Sequence, residues 1–144
     1  MADAAVKPGA THLDETLGLE VVEVGGDRAR GRLAVVDEVR QPFGLVHGGA
    51  FAAVAESLAS RATYEAVVGE GMVALGLSNH TSFLRPVASG TVESEARARH
   101  RGRSTWLWDV DHMDDEGRLC AVSRVTIAIR PAPGDAPVSH ESGS

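Results

Sequence analysis

The stretch from Gln41 to about Val68 constrains the fold most, because it alone in this chain predicts a long helix. Proline and glycine residues break the chain first, His47, Gly48 and Gly49 then make a turn, and an alanine-rich run of good helix formers follows. A helix that begins near Gly48 leaves backbone N–H groups and the positive end of its dipole facing whatever lies in front of His47. Because glycine lets a ligand approach the backbone closely, this end predicts an anion or oxyanion site.

The two faces of this helix differ in character. At 100° per residue, Glu56 points away from the apolar residues and shares its face with no Lys, Arg or Gln. A solvated face normally carries more charge, although a hydrated glutamate is the simpler interpretation. We expect a second subunit or a ligand to cover the Glu56 face. The apolar face comprises Phe51, Val54, Ala55, Leu58 and Ala62, and the Glu56 face comprises Gly49, Ala52, Ala53, Ser60 and Thr63.

Two β-rich segments precede the helix in the sequence and four follow it, and no second helix is predicted. The pattern therefore predicts an α+β fold in which an antiparallel six-stranded sheet wraps around one central helix. Such a sheet leaves its edges and the Glu56 side of the helix without a partner, so we expect an oligomer. The predicted strands are Leu17–Val24, Ala29–Val36, Met72–Arg85, Thr91–Arg101, Ser104–Met113 and Leu119–Ile129, with Val73, Leu75, Leu77 and Phe83 on one parity of the third.

Length and charge limit the classes of function that this chain can have. The 144 residues suit a single domain, which we place at 11–131, between ends at 1–10 and 132–144 whose small and polar residues predict disorder. A net charge of −6 argues against nucleic-acid binding. No apolar run approaches the ~18 residues of a membrane span, and no signal peptide is evident. Cys120 is the single cysteine, which favours a buried core position and a cytoplasmic setting.

The common catalytic motifs are missing. The sequence has no GxSxG, HExxH, Walker or CxxC motif, and its six histidines are scattered without metal-ligand spacing. We therefore expect no metal and no other cofactor. His47, beside two glycines at a helix start, is a candidate for shaping a site, but its role stays open.

Several motifs together carry a family resemblance. The His47-Gly48-Gly49 turn, Glu56 nine residues on, six strands and a central helix resemble the hotdog-fold acyl-CoA thioesterases. Within that fold the chain is similar to the small, glutamate-dependent type of 4-hydroxybenzoyl-CoA thioesterase, and the similarity covers all but the two ends. The matching segments are Gly44–Gly49, Ser78–Phe83, Arg85–Val87, Trp106, Trp108–Val110 and Gly117–Ser123.

The resemblance implies a role for individual residues. Glu56 would attack the thioester carbonyl or act as base on a water, and the Gly48 N–H would bind the oxyanion. Gln41 would assist near the thioester, and Ser60 stands where the family has a threonine. Asp14 would lie near the aryl end of the substrate. Arg85, Ser104 and Thr105 would bind the nucleotide end of CoA.

The implied function is hydrolysis of an aryl-CoA, 4-hydroxybenzoyl-CoA or a near relative, by a homodimer that assembles into a homotetramer. Two alternatives stay open at this point. One is an enoyl-CoA hydratase or dehydratase on the same fold, with His47 as general base. The other is a non-catalytic acyl-CoA-binding module in which Glu56 is merely hydrated.

Overall fold

The computed structural model describes residues 5–134 and confirms six strands around one long helix. The expected disordered ends fall partly on residues 1–4 and 135–144, which lie outside the described residues, and residues 5–10 and 132–134 carry no helix or strand. The helices are α1 (Leu13–Leu17) and α2 (Gly48–Val67), with 3-10 turns at Asp37–Val39 and Val68–Glu70. The strands are β1 (Leu19–Val24), β2 (Arg28–Ala34), β3 (Met72–Phe83), β4 (Thr91–Arg101), β5 (Thr105–Met113) and β6 (Leu119–Pro131).

One antiparallel sheet in the order β1-β2-β4-β5-β6-β3 contains all six strands. Helix α2 packs on one face of this sheet and contacts every strand, which is the hotdog arrangement. Strands β1 and β3 are the two edges. No described helix is long and apolar enough to cross a membrane.

The apolar face of α2 is buried as its spacing predicts, with Phe51, Val54, Ala55, Leu58 and Ala62 all in the core. Thr63 does not belong to the open Glu56 face that the spacing predicts, because it is fully buried. Its hydroxyl accepts from Trp108 Nε1 at 2.9 Å and donates to the Ala59 carbonyl at 2.8 Å. The small-residue face therefore ends before the last turns of the helix.

Strand β3 departs from the predicted single parity. Its pairing with β6 shifts between Gly76 and Ser78, so Leu77 is an extra bulged residue. A bulge switches the side on which later residues point. Before it, Met72 and Ala74 pack against the core while Leu75 is exposed; after it, Phe83 lies on the helix side, against Gly48. The prediction that Leu75 and Phe83 share a face is therefore wrong.

The strand β4 is apolar on one side and charged on the other, as its sequence predicts. Val92 and Ala96 are buried, whereas Glu95 pairs with Arg28 at 3.1 Å and with Arg97 at 2.8 Å. Ion pairs across neighbouring strands thus cover the sheet face opposite the helix.

The predicted first strand begins too early. Residues Leu13–Leu17 form the short helix α1, which ends at Gly18 in a left-handed conformation with φ 74°. Strand β1 therefore starts at Leu19. This helix brings Asp14 to the central helix.

Candidate active site

The start of α2 leaves one backbone donor free. The Gly49 N–H donates to Nδ1 of His47 at 2.8 Å, and the Ala50 N–H donates to the His47 carbonyl at 2.9 Å. Within residues 5–134, no acceptor is assigned to the Gly48 N–H. His47 is thus the N-cap of the helix, and its capping leaves the Gly48 N–H as the donor available to a ligand.

A cleft of about 410 Å³ lies in front of this donor. The ring of Phe83 packs on Gly48 so closely that a Cβ there would lie 2.7 Å from it. Glycine is required for this approach. Gln41 and Arg85 contribute the polar groups of the cleft, and its apolar lining is Leu45, Val46, Phe51, Phe83, Leu84, Pro86 and Val87.

Gln41 is held by a closed loop. Its N–H donates to the Leu45 carbonyl at 2.8 Å, and its carbonyl accepts from the Gly44 N–H at 2.9 Å. The side-chain oxygen Oε1 accepts from the Phe43 N–H. No partner is assigned to the side-chain NH2 among the described residues, so this donor is available at the cleft.

Glu56 lies in the middle of α2 and is exposed. Its carboxylate rests on Gly76 of β3, where any Cβ would overlap Oε1. No hydrogen bond or ion pair to the Glu56 carboxylate is assigned in the described part of the chain. Ser60, one turn later, is partly buried. The result is an unpaired carboxylate packed directly over Gly76.

Asp14 reaches the same part of the helix. Its Oδ1 accepts from the Ser57 hydroxyl at 2.6 Å. Because Ser57 follows Glu56 in the chain, this bond brings a second carboxylate to the middle of α2.

The predicted site residues do not converge within one chain. Glu56 lies eight positions after Gly48, roughly 12 Å along an α-helix. One thioester cannot contact both. Arg85 follows the end of β3, whereas Ser104 and Thr105 lie at the opposite end of the sheet. On β6, the partner of Phe83 and the partner of Thr105 are seven positions apart, roughly 23 Å.

Sequence reasoning missed His112. This residue is fully buried on β5, and burial lowers its pKa to about 4. Its ring packs edge-on against Phe51, with centroids 5.3 Å apart. The signal was present in the sequence, because His112 continues the buried alternation of Trp106, Trp108 and Val110.

Cys120 is fully buried, as expected. Its thiol donates to the His112 carbonyl at 3.0 Å, and burial raises its pKa. A buried thiol held in its protonated form is a core residue rather than a nucleophile.

A family model described as "Thioesterase superfamily" matches residues 43–121, more than half of the chain. A proofreading thioesterase EntH from Cronobacter turicensis is 37% identical over 117 residues, 81% of this chain and 85% of that protein. A 1,4-dihydroxy-2-naphthoyl-CoA hydrolase from Listeria monocytogenes is 36% identical over 118 residues, 82% of this chain and 95% of that protein. The crystal structure of a thioesterase from Haemophilus influenzae superposes with a TM-score of 0.79 at 34% identity, covering 84% of each chain.

Proposed function

Since this chain belongs to the thioesterase superfamily and is a thioesterase, we propose that it hydrolyses an aromatic acyl-CoA to the free acid and CoA. The proposed substrate is 4-hydroxybenzoyl-CoA or a close relative. Relatives named 1,4-dihydroxy-2-naphthoyl-CoA hydrolase, 35% and 36% identical to this chain, support a hydroxylated aryl group.

The unpaired Glu56 carboxylate over Gly76 carries the proposal. As a nucleophile, its oxygen attacks the carbonyl carbon, the C–S bond breaks, CoA leaves as thiolate, and water hydrolyses the mixed anhydride. As a general base, it takes a proton from the water that attacks the same carbon. Both routes need a carboxylate free of a competing cation.

The start of α2 would stabilise the negative charge that forms on the thioester oxygen. In the proposed complex, the Gly48 N–H donates to the thioester oxygen as negative charge develops on it. The helix dipole favours that charge. The NH2 group of Gln41 is the second donor in the cleft. His47 acts as cap, because its Nδ1 already accepts from Gly49.

A site shared between two chains would bring Gly48 and Glu56 close to the same thioester. We propose a dimer in which Gly48 of one chain and Glu56 of the other act on one thioester. Two β3 edges paired antiparallel would place the Arg85 end of one chain beside the Ser104 end of the other. Arg85, Ser104 and Thr105 could then bind one CoA, with Asp14 near the aryl group. Packing of dimers into a tetramer is part of the same proposal.

The thioesterase relatives decide between the alternatives left open by the sequence. They favour hydrolysis over hydration and over a non-catalytic module. A hydratase would also need His47 as a free base, whereas its Nδ1 is engaged in capping α2.

The test of the proposal is free-thiol release from matched aryl-CoA and aliphatic acyl-CoA substrates. We expect Glu56→Gln to keep the fold and substrate binding and to lower kcat by ~10² to 10⁴, the range for loss of a positioned base or nucleophile. Glu20→Gln, an exposed glutamate on β1, is the matched control and should keep wild-type kcat. Wild-type turnover in Glu56→Gln would remove the catalytic assignment, and preference for aliphatic substrates would remove the aryl assignment.

A further inference from the structure

A chain of hydrogen bonds, buried at His112 and exposed at Asn79, connects the sheet to the Glu56 helix. His112 Nε2 lies 3.0 Å from the Ser123 hydroxyl, which lies 2.8 Å from the Thr81 hydroxyl. Thr81 donates to Asn79 Oδ1 at 2.8 Å, and Asn79 Nδ2 donates to the Ala52 carbonyl at 2.8 Å. We name His112, Ser123, Thr81 and Asn79 the β3 tether.

Only one direction of donation satisfies every member of the β3 tether. The Ala52 carbonyl can only accept, so Asn79 presents its NH2 to the helix and its oxygen to Thr81. Thr81 spends its single proton on Asn79 and must accept from Ser123. Ser123 then spends its proton on Thr81 and must accept from His112 Nε2–H. The remaining ring nitrogen, Nδ1, accepts from the Ser94 hydroxyl, 2.7 Å away.

The neutral Nε2–H tautomer of His112 therefore fits the chain of bonds. A protonated ring would have two donors and could not accept from Ser94. Burial keeps the ring neutral by lowering its pKa to about 4. The direction of the hydrogen bonds and the charge of the ring agree.

The β3 tether ends beside the proposed catalytic carboxylate. Because α2 is a continuous α-helix, the Ala52 carbonyl is the acceptor for the Glu56 N–H one turn on. The Glu56 carboxylate rests on Gly76, three residues before Asn79 on the same strand. The tether thus fixes the edge strand β3 against the helical turn that holds Glu56.

We propose that His112 is a positioning residue of the thioesterase site, acting through Ser123, Thr81 and Asn79 to hold β3 at a set distance from Glu56. The proposal rests on the proposed function of Glu56. His112 itself touches no substrate. Its effect is on the geometry of attack, where a shift of about 1 Å can cost ~10²-fold in rate.

The test compares three threonine substitutions. Thr81→Val breaks the tether with little change in shape, and Thr81→Ser keeps the hydroxyl. Thr63→Val is the matched control, because it orphans the buried Trp108 N–H without touching the tether. We expect Thr81→Val to lower kcat by roughly 10-fold or more at unchanged KM, and Thr81→Ser and Thr63→Val to keep wild-type kcat.

Two results would overturn the inference. One is wild-type kcat in Thr81→Val. The other is an equal fall in Thr63→Val, which would make general destabilisation the cause. Amide hydrogen exchange gives a readout independent of turnover: exchange at residues 79–83 should speed up in Thr81→Val and not in Thr63→Val. If the wild type hydrolyses no thioester, the proposed function fails, and exchange alone decides whether the tether holds β3.

The His112 ring can be observed directly. Nitrogen-15 NMR of the imidazole should show a proton on Nε2 and none on Nδ1 at neutral pH. A proton on Nδ1 would reverse the direction of donation and contradict the tether.

Discussion

The two edges of the sheet are built in opposite ways. Strand β1 has six residues, and its Glu20 and Glu23 lie near Arg32 and Arg30 at 3.8 and 2.9 Å. Strand β3 has twelve residues with no Asp, Glu, Lys or Arg, and its Leu75 and Leu77 are 54% and 58% exposed. Short strands and charges protect an edge against pairing, whereas a long apolar edge invites it.

This difference indicates which edge a second chain would use. Strand β3 also carries Gly76 under Glu56, and its end lies at the cleft in front of Gly48. The edge that is open to pairing is therefore the edge next to the proposed catalytic residues. In our account, dimerisation and catalysis depend on the same strand.

Among tests of the contrast between the two edges, the largest expected effect comes from placing a charge on β3. Leu77→Lys should weaken dimerisation by at least ~10²-fold, because a twofold interface loses two buried leucines at ~1.5 kcal/mol or more each. Val22→Lys is the matched control, since Val22 is also a bulged, exposed residue on an edge strand, at 43% exposure. Sedimentation should show the shift for Leu77→Lys alone. Equal effects of both substitutions would erase the contrast between the edges.

The stability of the fold should also depend on pH, because a buried histidine holds the β3 side. Unfolded His112 gains its proton near pH 6.5, but the folded ring stays neutral down to about pH 4. Between these values the unfolded state binds more protons, so stability falls as the pH is lowered from 6.5 to 4. The 2.5-unit difference, at 1.36 kcal/mol per unit, gives at most roughly 3 kcal/mol from this residue.

Urea unfolding at several pH values measures this contribution. His112→Gln keeps a donor for Ser123 but cannot titrate, so its stability should depend less steeply on pH between 6.5 and 4. Identical slopes for the wild type and His112→Gln would show that His112 does not stay neutral in the fold.

The smallest expected effect is at the end of β3. Arg85→Ala should raise KM for an acyl-CoA by about 10-fold with little change in kcat, since a phosphate contact remote from the reaction provides uniform binding. Arg124→Ala, which removes an ion pair with Asp109 on the outer sheet face, should change neither constant. With a truncated thioester that lacks the nucleotide, Arg85→Ala should lose its effect. Equal losses on both substrates would indicate a folding role.

Much of the fold could be predicted because its signals are local. Glycines before an alanine-rich run placed the start of α2 at Gly48, and helical spacing placed Phe51, Val54 and Leu58 in the core. The bulge at Leu77 could not be predicted, because it depends on how β3 pairs with β6. That single extra residue put Phe83 at the Gly48 cleft instead of on the Leu75 side.

For the candidate site, candidate residues could be named from the sequence, but their arrangement could not be predicted. Spacing and resemblance selected Glu56 and Gly48. The structure then showed that α2 is continuous between them, which places them too far apart within one chain to act on one thioester. His112 was overlooked because a histidine in a strand gives no sign of its partners. Its link to Asn79 crosses three strands and exists only in the fold.

Subunit complementation tests the shared site most directly. Gly48→Pro removes the N–H at a helix position that favours proline, and His47 before it already has a compatible ψ of 133°. The new Cβ displaces the Phe83 ring, which is 58% exposed, so the cleft altered is the one in the variant's own chain, and the native site of a hybrid uses Gly48 of the other chain. When Gly48→Pro and Glu56→Gln chains are mixed in equal amounts, half of the dimers are hybrids that contain one chain of each kind. Each hybrid has one site with both native residues. We predict that two inactive variants, refolded together at equal amounts, recover about a quarter of wild-type kcat per chain. No recovery, with hybrid dimers demonstrated by mass, would show that Gly48 and Glu56 do not act across two chains.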